Sequence, residues 1–142
     1  MGQQLAPSKI RFTQDTISNK FRRNKGSVHE AIDKIRQKKM SVNDFPTIEV
    51  IKKDNKYYSL DNRRLYIFRV LEKEGLLRDV PITITGRSMP DKKFTTTNDG
   101  VTVKMRYEQT RKHSFESLLL SERYQYKILY FFHKIAKLYY CT

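Results

Sequence analysis

The sequence predicts an α+β domain, and two kinds of pattern in its 142 residues indicate this class. Alternating apolar and polar residues predict strands, at residues 10–12, 48–60, 80–85 and 101–107. Apolar residues spaced three or four apart predict helices, at residues 28–39, from residue 62 onward, and at residues 114–140. We therefore expect a small mixed sheet with packed helices and a long C-terminal helix.

Composition predicts one folded domain with a polyanionic partner. Hydrophobic residues make up 38% of the chain, which is enough for a single core, and 29 Lys and Arg against 15 Asp and Glu give a net charge of +14. Such a charge destabilises the free protein by self-repulsion. Residues 1–40 carry +7 and residues 101–142 carry +5, whereas residues 41–100 carry only +2. We expect nucleic acid as the partner, ahead of an acidic protein or an anionic membrane surface.

The cysteine content and the hydropathy of the chain argue against several classes of protein. The single cysteine, Cys141, cannot form an intramolecular disulfide, and no Cys/His cluster has the spacing of a zinc site. The longest apolar run, residues 128–132, is too short to span a bilayer, and the N-terminus lacks the apolar segment of a signal peptide. We expect an intracellular protein in a reducing compartment, with no metal, no cofactor and no membrane partner.

Four segments are predicted along the chain. They are a flexible N-terminus over residues 1–8, a folded core over 9–85, a polar loop over 86–100, and a strand followed by an amphipathic helix over 101–142. In the core, Ser27 and Glu30 form a capping box before the first helix. Asp54 and Asn55 are the turn of a hairpin over residues 48–60, and Gly75 ends the second helix.

An electrostatic conflict marks the start of the second helix. Arg63 and Arg64 lie in its first turn, where the helix already has unpaired N–H groups and a partial positive charge. Two cations cost stability there unless an anion is close. We therefore predict a phosphate site formed by Asn62, Arg63 and Arg64. The alternative is that Asp61 caps the helix and that Arg63 pairs with Asp61 or Glu72.

Two further basic groups are candidate phosphate ligands. The first lies in a loop predicted to be flexible and consists of Lys20, Arg22, Arg23 and Lys25. The second is a weaker candidate in the polar loop and consists of Arg87, Lys92 and Lys93. Such contacts position a duplex on the protein without reading its bases. The alternative is that both groups are solvated charge runs.

The C-terminal helix is apolar on more than one side, so it must be buried on more than one side. One face can pack on the sheet, and the other predicts a protein partner. The predicted interface residues are Tyr124, Ile128, Phe131, Ile135 and Tyr139. The alternative is that the domain covers this helix by itself.

A family resemblance follows from two stretches of sequence. They are Ser59-Leu60-Asp61-Asn62-Arg63-Arg64-Leu65-Tyr66-Ile67-Phe68 and Leu77-Arg78-Asp79-Val80-Pro81-Ile82-Thr83-Ile84. With the preceding strand, helix and hairpin, they resemble the ParB/sulfiredoxin fold over about residues 9–85. In ParB-like domains an Arg-Arg turn starts a helix and a Val-Pro strand follows, although Asp61-Asn62 stands here where the family has Gly-Glu.

The departures from the family narrow what the resemblance implies. Sulfiredoxin needs a nucleophilic cysteine near position 62, where this chain has asparagine, so sulfinic acid reductase chemistry is excluded. The second nucleotide motif of CTP-binding ParB proteins and their helix-turn-helix region are also missing. The fold and a phosphate-facing turn remain.

Together these observations predict a non-catalytic DNA-binding accessory subunit of a larger complex. The Lys-, Asn- and Tyr-rich composition suits an A/T-rich genome such as a ciliate's. Small ciliate proteins of this fold resemble an accessory subunit of a DNA adenine methyltransferase complex, which implies duplex DNA, partner subunits and a nuclear location. The alternatives are a ParB-like nuclease or nucleotide-dependent phosphotransferase built on Arg63 and Arg64, and a scaffold for an acidic protein.

Overall fold

The computed structural model describes residues 2–88 and 91–107. Its strands are β1 Gln3–Leu5, β2 Ile10–Phe12, β3 Thr16–Ser18, β4 Ile48–Lys53, β5 Lys56–Ser59, β6 Val80–Ile84 and β7 Lys104–Arg106. Its α-helices are α1 Val28–Arg36 and α2 Asn62–Lys73. This mixture of helices and strands agrees with the predicted α+β class. The predicted C-terminal helix and its interface lie outside the described residues.

Five strands form one mixed sheet in the order β1-β6-β4-β5-β2. The β4–β5 and β1–β6 pairs are antiparallel, whereas β4–β6 and β2–β5 are parallel. The predicted hairpin is confirmed: Asp54 and Asn55 connect β4 to β5 with φ angles of 47° and 60°. Two successive positive φ angles are typical of the type I′ turn, whose twist matches that of the strands. Strands β3 and β7 form a separate two-stranded parallel ribbon.

The N-terminus differs from its prediction. The sequence predicts a flexible segment over residues 1–8, whereas the structure pairs Gln3–Leu5 with β6 and buries Pro7. The strand is held by main-chain hydrogen bonds to β6, and Leu5 packs against the core. Polar residues such as Gln3 and Gln4 give no alternation, so the strand has no signal in the sequence.

Both helices bury their apolar faces in one core with the strands, and α1 packs against α2. In α1 the buried residues are Val28, Ala31 and Ile32, and in α2 they include Leu65, Ile67, Phe68 and Leu71. Leu65 and Leu71 are completely buried at 0% exposure. Truncating either residue to alanine should cost about 2–5 kcal/mol of folding free energy, because the cavity closes only in part.

Helix α1 begins as predicted and ends earlier. The Ser27 hydroxyl accepts the Glu30 N–H at 3.1 Å, but the Glu30 carboxylate pairs with Lys34 at 2.8 Å, so the capping box is only half formed. The helix stops at Arg36 because Lys38 adopts φ 57°. A left-handed residue just after a helix directs the next N–H groups back to its last carbonyls.

Helix α2 also begins at the predicted residue, Asn62, and ends at Lys73. Gly75 has φ 72°, and the Leu76 N–H bonds to the Leu71 carbonyl at 2.9 Å. This arrangement is the Schellman ending that the position of Gly75 predicts.

The Arg69 side chain fastens α2 to the chain segments around it. Its guanidinium donates to the carbonyls of Pro7, Ser8, Ile10 and Val101, at 2.5–3.3 Å. It also lies 4.7 Å from the centre of the Phe12 ring. Burial lowers the pKa of Arg69 from its usual range, and the carbonyl oxygens replace the water that burial removes.

Within the predicted polar loop, the described residues 95–100 are bonded to the edge of the sheet and to the residues that follow it. The Phe12 N–H donates to the Gly100 carbonyl at 2.8 Å. The Asp99 carboxylate accepts hydrogen bonds from Arg11 at 2.6 Å, from Lys56 at 2.5 Å and from the Tyr58 hydroxyl. We refer to Arg11, Lys56, Tyr58 and Asp99 as the Asp99 clamp.

Candidate functional site

The first turn of α2 does not use the expected cap. Asp61 precedes the helix, but its carboxylate accepts from the Glu49 N–H at 3.0 Å and from Arg64 at 2.7 Å rather than from the helix. The main-chain N–H groups of Asn62, Arg63 and Arg64 have no acceptor among the described residues. These groups keep the partial positive charge of the helix end.

Arg64 is engaged within the fold. Its guanidinium donates to the carbonyls of Pro46 at 2.8 Å and Thr47 at 3.0 Å, besides pairing with Asp61. The alternative is therefore wrong in both parts, because Asp61 does not cap the helix and Arg63 pairs with neither Asp61 nor Glu72. Asp61 pairs with Arg64 instead. Arg64 thus links the residues just before β4 to the start of α2. Its charge is already compensated by the Asp61 carboxylate.

Asn62 is also engaged. It is 6% exposed, its Oδ1 accepts the Thr13 N–H at 2.9 Å, and its Nδ2 donates to the Thr13 hydroxyl at 2.7 Å. The Thr13 hydroxyl in turn donates to the Ser59 carbonyl at 2.9 Å. This buried network joins the end of β2 to the start of α2, so the Asn62 side chain positions the helix.

Arg63 has a different environment. Its guanidinium donates to the Lys20 carbonyl at 2.7 Å and lies 5.8 Å from the centre of the Phe21 ring. It has no carboxylate partner among the described residues. Partial burial and then the nearby charge of Arg22 lower the pKa of Arg63 from its usual range. Arg63 is therefore a cation in an environment that disfavours its charge.

The basic loop before α1 is closed by its own backbone, although the sequence predicts a flexible loop. Lys20 and Ser27 form an antiparallel bridge, and the Phe21 N–H donates to the Gly26 carbonyl at 3.0 Å. The intervening turn has Arg23 at φ 60° and Gly26 at φ 83°. A run of charges does not reveal such main-chain bonds, so the sequence could not predict the closed loop.

A cleft of about 860 Å³ lies between this loop and the start of α2. Its cations are Arg22, Arg23, Lys25, Lys34, Arg63, Arg64, Lys93 and Arg106, and its carboxylates are Glu30 and Asp61. The two carboxylates pair with Lys34 and Arg64. The other six cations have no carboxylate partner in the described part of the chain. We refer to the space and these six cations as the basic cleft.

The basic cleft unites most of the predicted ligands. Arg22, Arg23, Lys25, Arg63 and Lys93 surround it, although they come from three separate segments of the chain. Of the remaining predicted ligands, Asn62 and Arg64 also line it, but their side chains are engaged as described above.

Three predicted ligands have other positions. Lys20 presents its main-chain carbonyl to Arg63. Lys92 does not line the cleft. Arg87 lies 3.6 Å from a carboxylate oxygen of Glu49 and lines a different depression.

Arg106 is a cleft residue that sequence reasoning missed. It lies on β7 and pairs in register with Ser18 of β3, 88 positions earlier in the chain. Alternation over residues 101–107 predicts the strand, but a parallel pairing between two three-residue strands leaves no local signal of the partner.

Apolar residues also line the cleft, and we refer to them as its floor and to the six cations as its rim. The floor residues are Ile17, Phe21, Ala31, Met40, Phe45, Pro46 and Leu60. Phe21 and Phe45 are half-buried, and Phe45 meets Phe68 edge to face, with ring centres 5.6 Å apart. The cleft therefore combines a cationic rim with a hydrophobic floor that contains two aromatic rings.

Comparison with protein-family models, curated proteins and solved structures gave no match to this chain. The ParB/sulfiredoxin resemblance therefore stays a prediction. Among residues 2–88 and 91–107, no three His, Cys, Asp or Glu side chains are grouped to hold a metal ion. No helix within the same residues is long and apolar enough to cross a membrane.

Proposed function

We propose that this protein binds nucleic acid and that the basic cleft holds its phosphate groups. The observation that carries the proposal is the set of six cations around one space without a carboxylate partner among the described residues. In the free protein these charges repel one another. A bound phosphate chain offsets that repulsion and releases the counterions of the nucleic acid, which favours binding.

Four of the six cations in the basic cleft are arginines, which suit phosphate binding. Arg22, Arg23, Arg63 and Arg106 carry planar guanidinium groups, which bind phosphate oxygens through two parallel hydrogen bonds. Asn62, Arg63 and Arg64 line the same cleft, and their main-chain N–H groups have no acceptor among the described residues. The +7 charge of residues 1–40 extends the positive surface beyond the cleft, as an elongated polyanion requires.

The proposal includes a non-catalytic role as the accessory subunit of a nuclear complex, such as a DNA adenine methyltransferase. Both carboxylates that line the cleft, Glu30 and Asp61, are paired with cations, so neither is free to act as a general base. A subunit of this kind would contribute positive surface to a complex whose chemistry lies on another chain.

A salt titration tests the proposal. Binding of a labelled duplex of about 20 base pairs is measured by fluorescence anisotropy at several NaCl concentrations. If all six cations contact phosphates, the logarithm of the association constant should fall with the logarithm of salt concentration with a slope of about −5. The triple variant R22Q/R23Q/K25Q should make that slope shallower by about 3 and weaken binding strongly.

The matched control is K9Q/K39Q/K73Q, which removes the same charge from exposed positions outside the cleft. It should change the slope much less. Equal losses in the two triple variants would show that binding depends on total charge and not on the cleft. ATP or CTP binding that is abolished by R63Q and accompanied by turnover would replace the proposal with an enzyme.

A further inference from the structure

The floor of the basic cleft has no role in holding phosphates. A duplex presents its sugar-phosphate backbone outward and keeps its bases stacked inside. A surface that binds only this backbone needs cations and hydrogen-bond donors, as the rim supplies. Phe21 and Phe45 offer apolar ring surface instead, and apolar surface gains nothing from a charged phosphate.

We propose that the basic cleft binds an unpaired strand of nucleic acid, with phosphates on the cationic rim and one or two bases against Phe21 and Phe45. This inference rests on the proposed function and names its substrate class. Proteins that bind single strands combine a positive groove with aromatic rings on which bases stack, and every base can stack because every base has a π-face.

The size of the cleft agrees with this occupant. Its volume of about 860 Å³ lies within the range of about 300–1,000 Å³ that is typical of sites for small organic groups. It therefore has room for bases and their sugars, which a site for a phosphate alone does not need.

The aromatic floor is held in place before any ligand arrives. Phe45 packs on Phe68, which is 3% exposed, and Phe21 lies within the closed loop, with the Arg63 guanidinium over its ring. Arg63 can then contact a phosphate or stack beside a base. Because these side chains are already ordered, binding costs less conformational entropy.

Three labelled probes of equal length, about 20 nucleotides, separate charge from stacking. They are an oligothymidine strand, an abasic strand with the same phosphates and no bases, and a duplex. At one salt concentration the full chain should bind oligothymidine about tenfold more tightly than the abasic strand, since stacking contributes about fivefold or more per base and one or two bases stack. It should also prefer oligothymidine to the duplex.

Two variants locate the effect. F21L and F45L keep an apolar side chain of similar volume but remove the ring, and each should reduce oligothymidine affinity about fivefold or more while leaving the abasic strand unchanged. The control is F94L, because Phe94 is a half-buried ring that packs on Tyr58 outside the cleft. It should bind all three probes as the unsubstituted chain does.

The chain contains no tryptophan, so F21W introduces a single fluorophore at the floor. Oligothymidine should quench its emission and the abasic strand should not. Equal binding of the oligothymidine and abasic strands, with no quenching, would overturn the inference and leave phosphate binding in place. Failure of all three probes to bind would overturn both proposals.

Discussion

In the Asp99 clamp, one carboxylate accepts hydrogen bonds from Arg11, Lys56 and Tyr58, whereas the six cations of the basic cleft have no carboxylate partner among the described residues. Both regions join a loop to residues of strands or helices, and both contain arginine and lysine. Cations in the clamp stabilise the fold because their partner belongs to the same chain. Cations in the cleft oppose folding because no carboxylate among the described residues offsets their mutual repulsion. The difference between them is pairing, which composition does not reveal.

The largest effect should come from breaking the clamp at its backbone. Gly100 has φ 70°, and a Cβ added there would lie 2.2 Å from the Phe12 carbonyl oxygen. We expect G100A to lower the free energy of unfolding by about 3 kcal/mol or more, because the loop must leave the edge of the sheet. The control is G86A, since a Cβ at Gly86 meets nothing within 4 Å and should change stability by no more than about 0.5 kcal/mol. Urea unfolding measures both.

The second-largest effect on stability should come from the buried hydrogen bonds between Asn62 and Thr13. We expect N62A to lower the free energy of unfolding by about 2 kcal/mol, because it leaves the Thr13 N–H buried without an acceptor. The affinity for nucleic acid at a fixed salt concentration should stay unchanged, since the Asn62 side chain bonds to Thr13. Weaker binding at full stability would instead make Asn62 a phosphate ligand.

Alkaline pH should weaken the clamp through Tyr58. Burial and the hydrogen bond to Asp99 raise the pKa of the Tyr58 hydroxyl to about 12. A phenol in the unfolded chain titrates near pH 10, so the contribution of Tyr58 is complete below about pH 10 and is lost between about pH 10 and 12. The stability difference between the unsubstituted chain and Y58F should therefore shrink over this range in urea unfolding.

Acid should weaken the same clamp through Asp99. Hydrogen bonds from Lys56 and Tyr58 lower the pKa of the Asp99 carboxyl, so its contribution is complete above the unfolded pKa of about 3.9 and is lost as pH falls toward the folded value. D99N, which tolerates the φ of 57° at this position, should lose less stability than the unsubstituted chain between about pH 5 and 3. An unchanged acid profile would assign the loss to Glu30 and Glu74, whose pKa values are also lowered.

The smallest effect should be the response of the cleft to salt without ligand. Salt screens repulsion among unpaired cations, so NaCl should raise the melting temperature of the unsubstituted chain by about 2–4 °C more than that of R22Q/R23Q/K25Q. The control variant K9Q/K39Q/K73Q should respond as the unsubstituted chain does. An equal response in all three proteins would mean that the cleft cations do not repel one another appreciably.

Local patterns predicted the local structure well. The hairpin, the start of both helices and the Gly75 ending follow from turn residues, caps and periodicity, which act over a few neighbouring positions. Strands β1 and β3 were missed, because they are short, largely polar and held by hydrogen bonds to residues far along the chain. Such pairing is decided by tertiary structure and has no local signature.

The candidate site was also predictable only in part, because local patterns show charges but not the partners that the fold brings to them. Basic groups in the sequence identified Arg22, Arg23, Lys25 and Lys93, and the electrostatic conflict at the start of α2 identified Arg63. That conflict also predicted Asn62 and Arg64 as ligands, but their hydrogen bonds to Thr13, Pro46 and Thr47 come from distant segments. Arg106 was missed because only the β3–β7 ribbon brings it to the cleft.

The β3–β7 ribbon has a consequence for biosynthesis. Lys93 and Arg106 complete the cleft, but β3 cannot pair until residues 104–106 have left the ribosome. Chains fold from their N-terminal end during synthesis, and contacts between distant residues form late. A nascent chain that ends before residue 104 therefore presents the Arg22–Lys25 loop and Arg63 without the opposite wall. The cleft is complete only once residue 106 has been made. On the proposed function, this late completion limits premature capture of ribosomal RNA by the growing polypeptide.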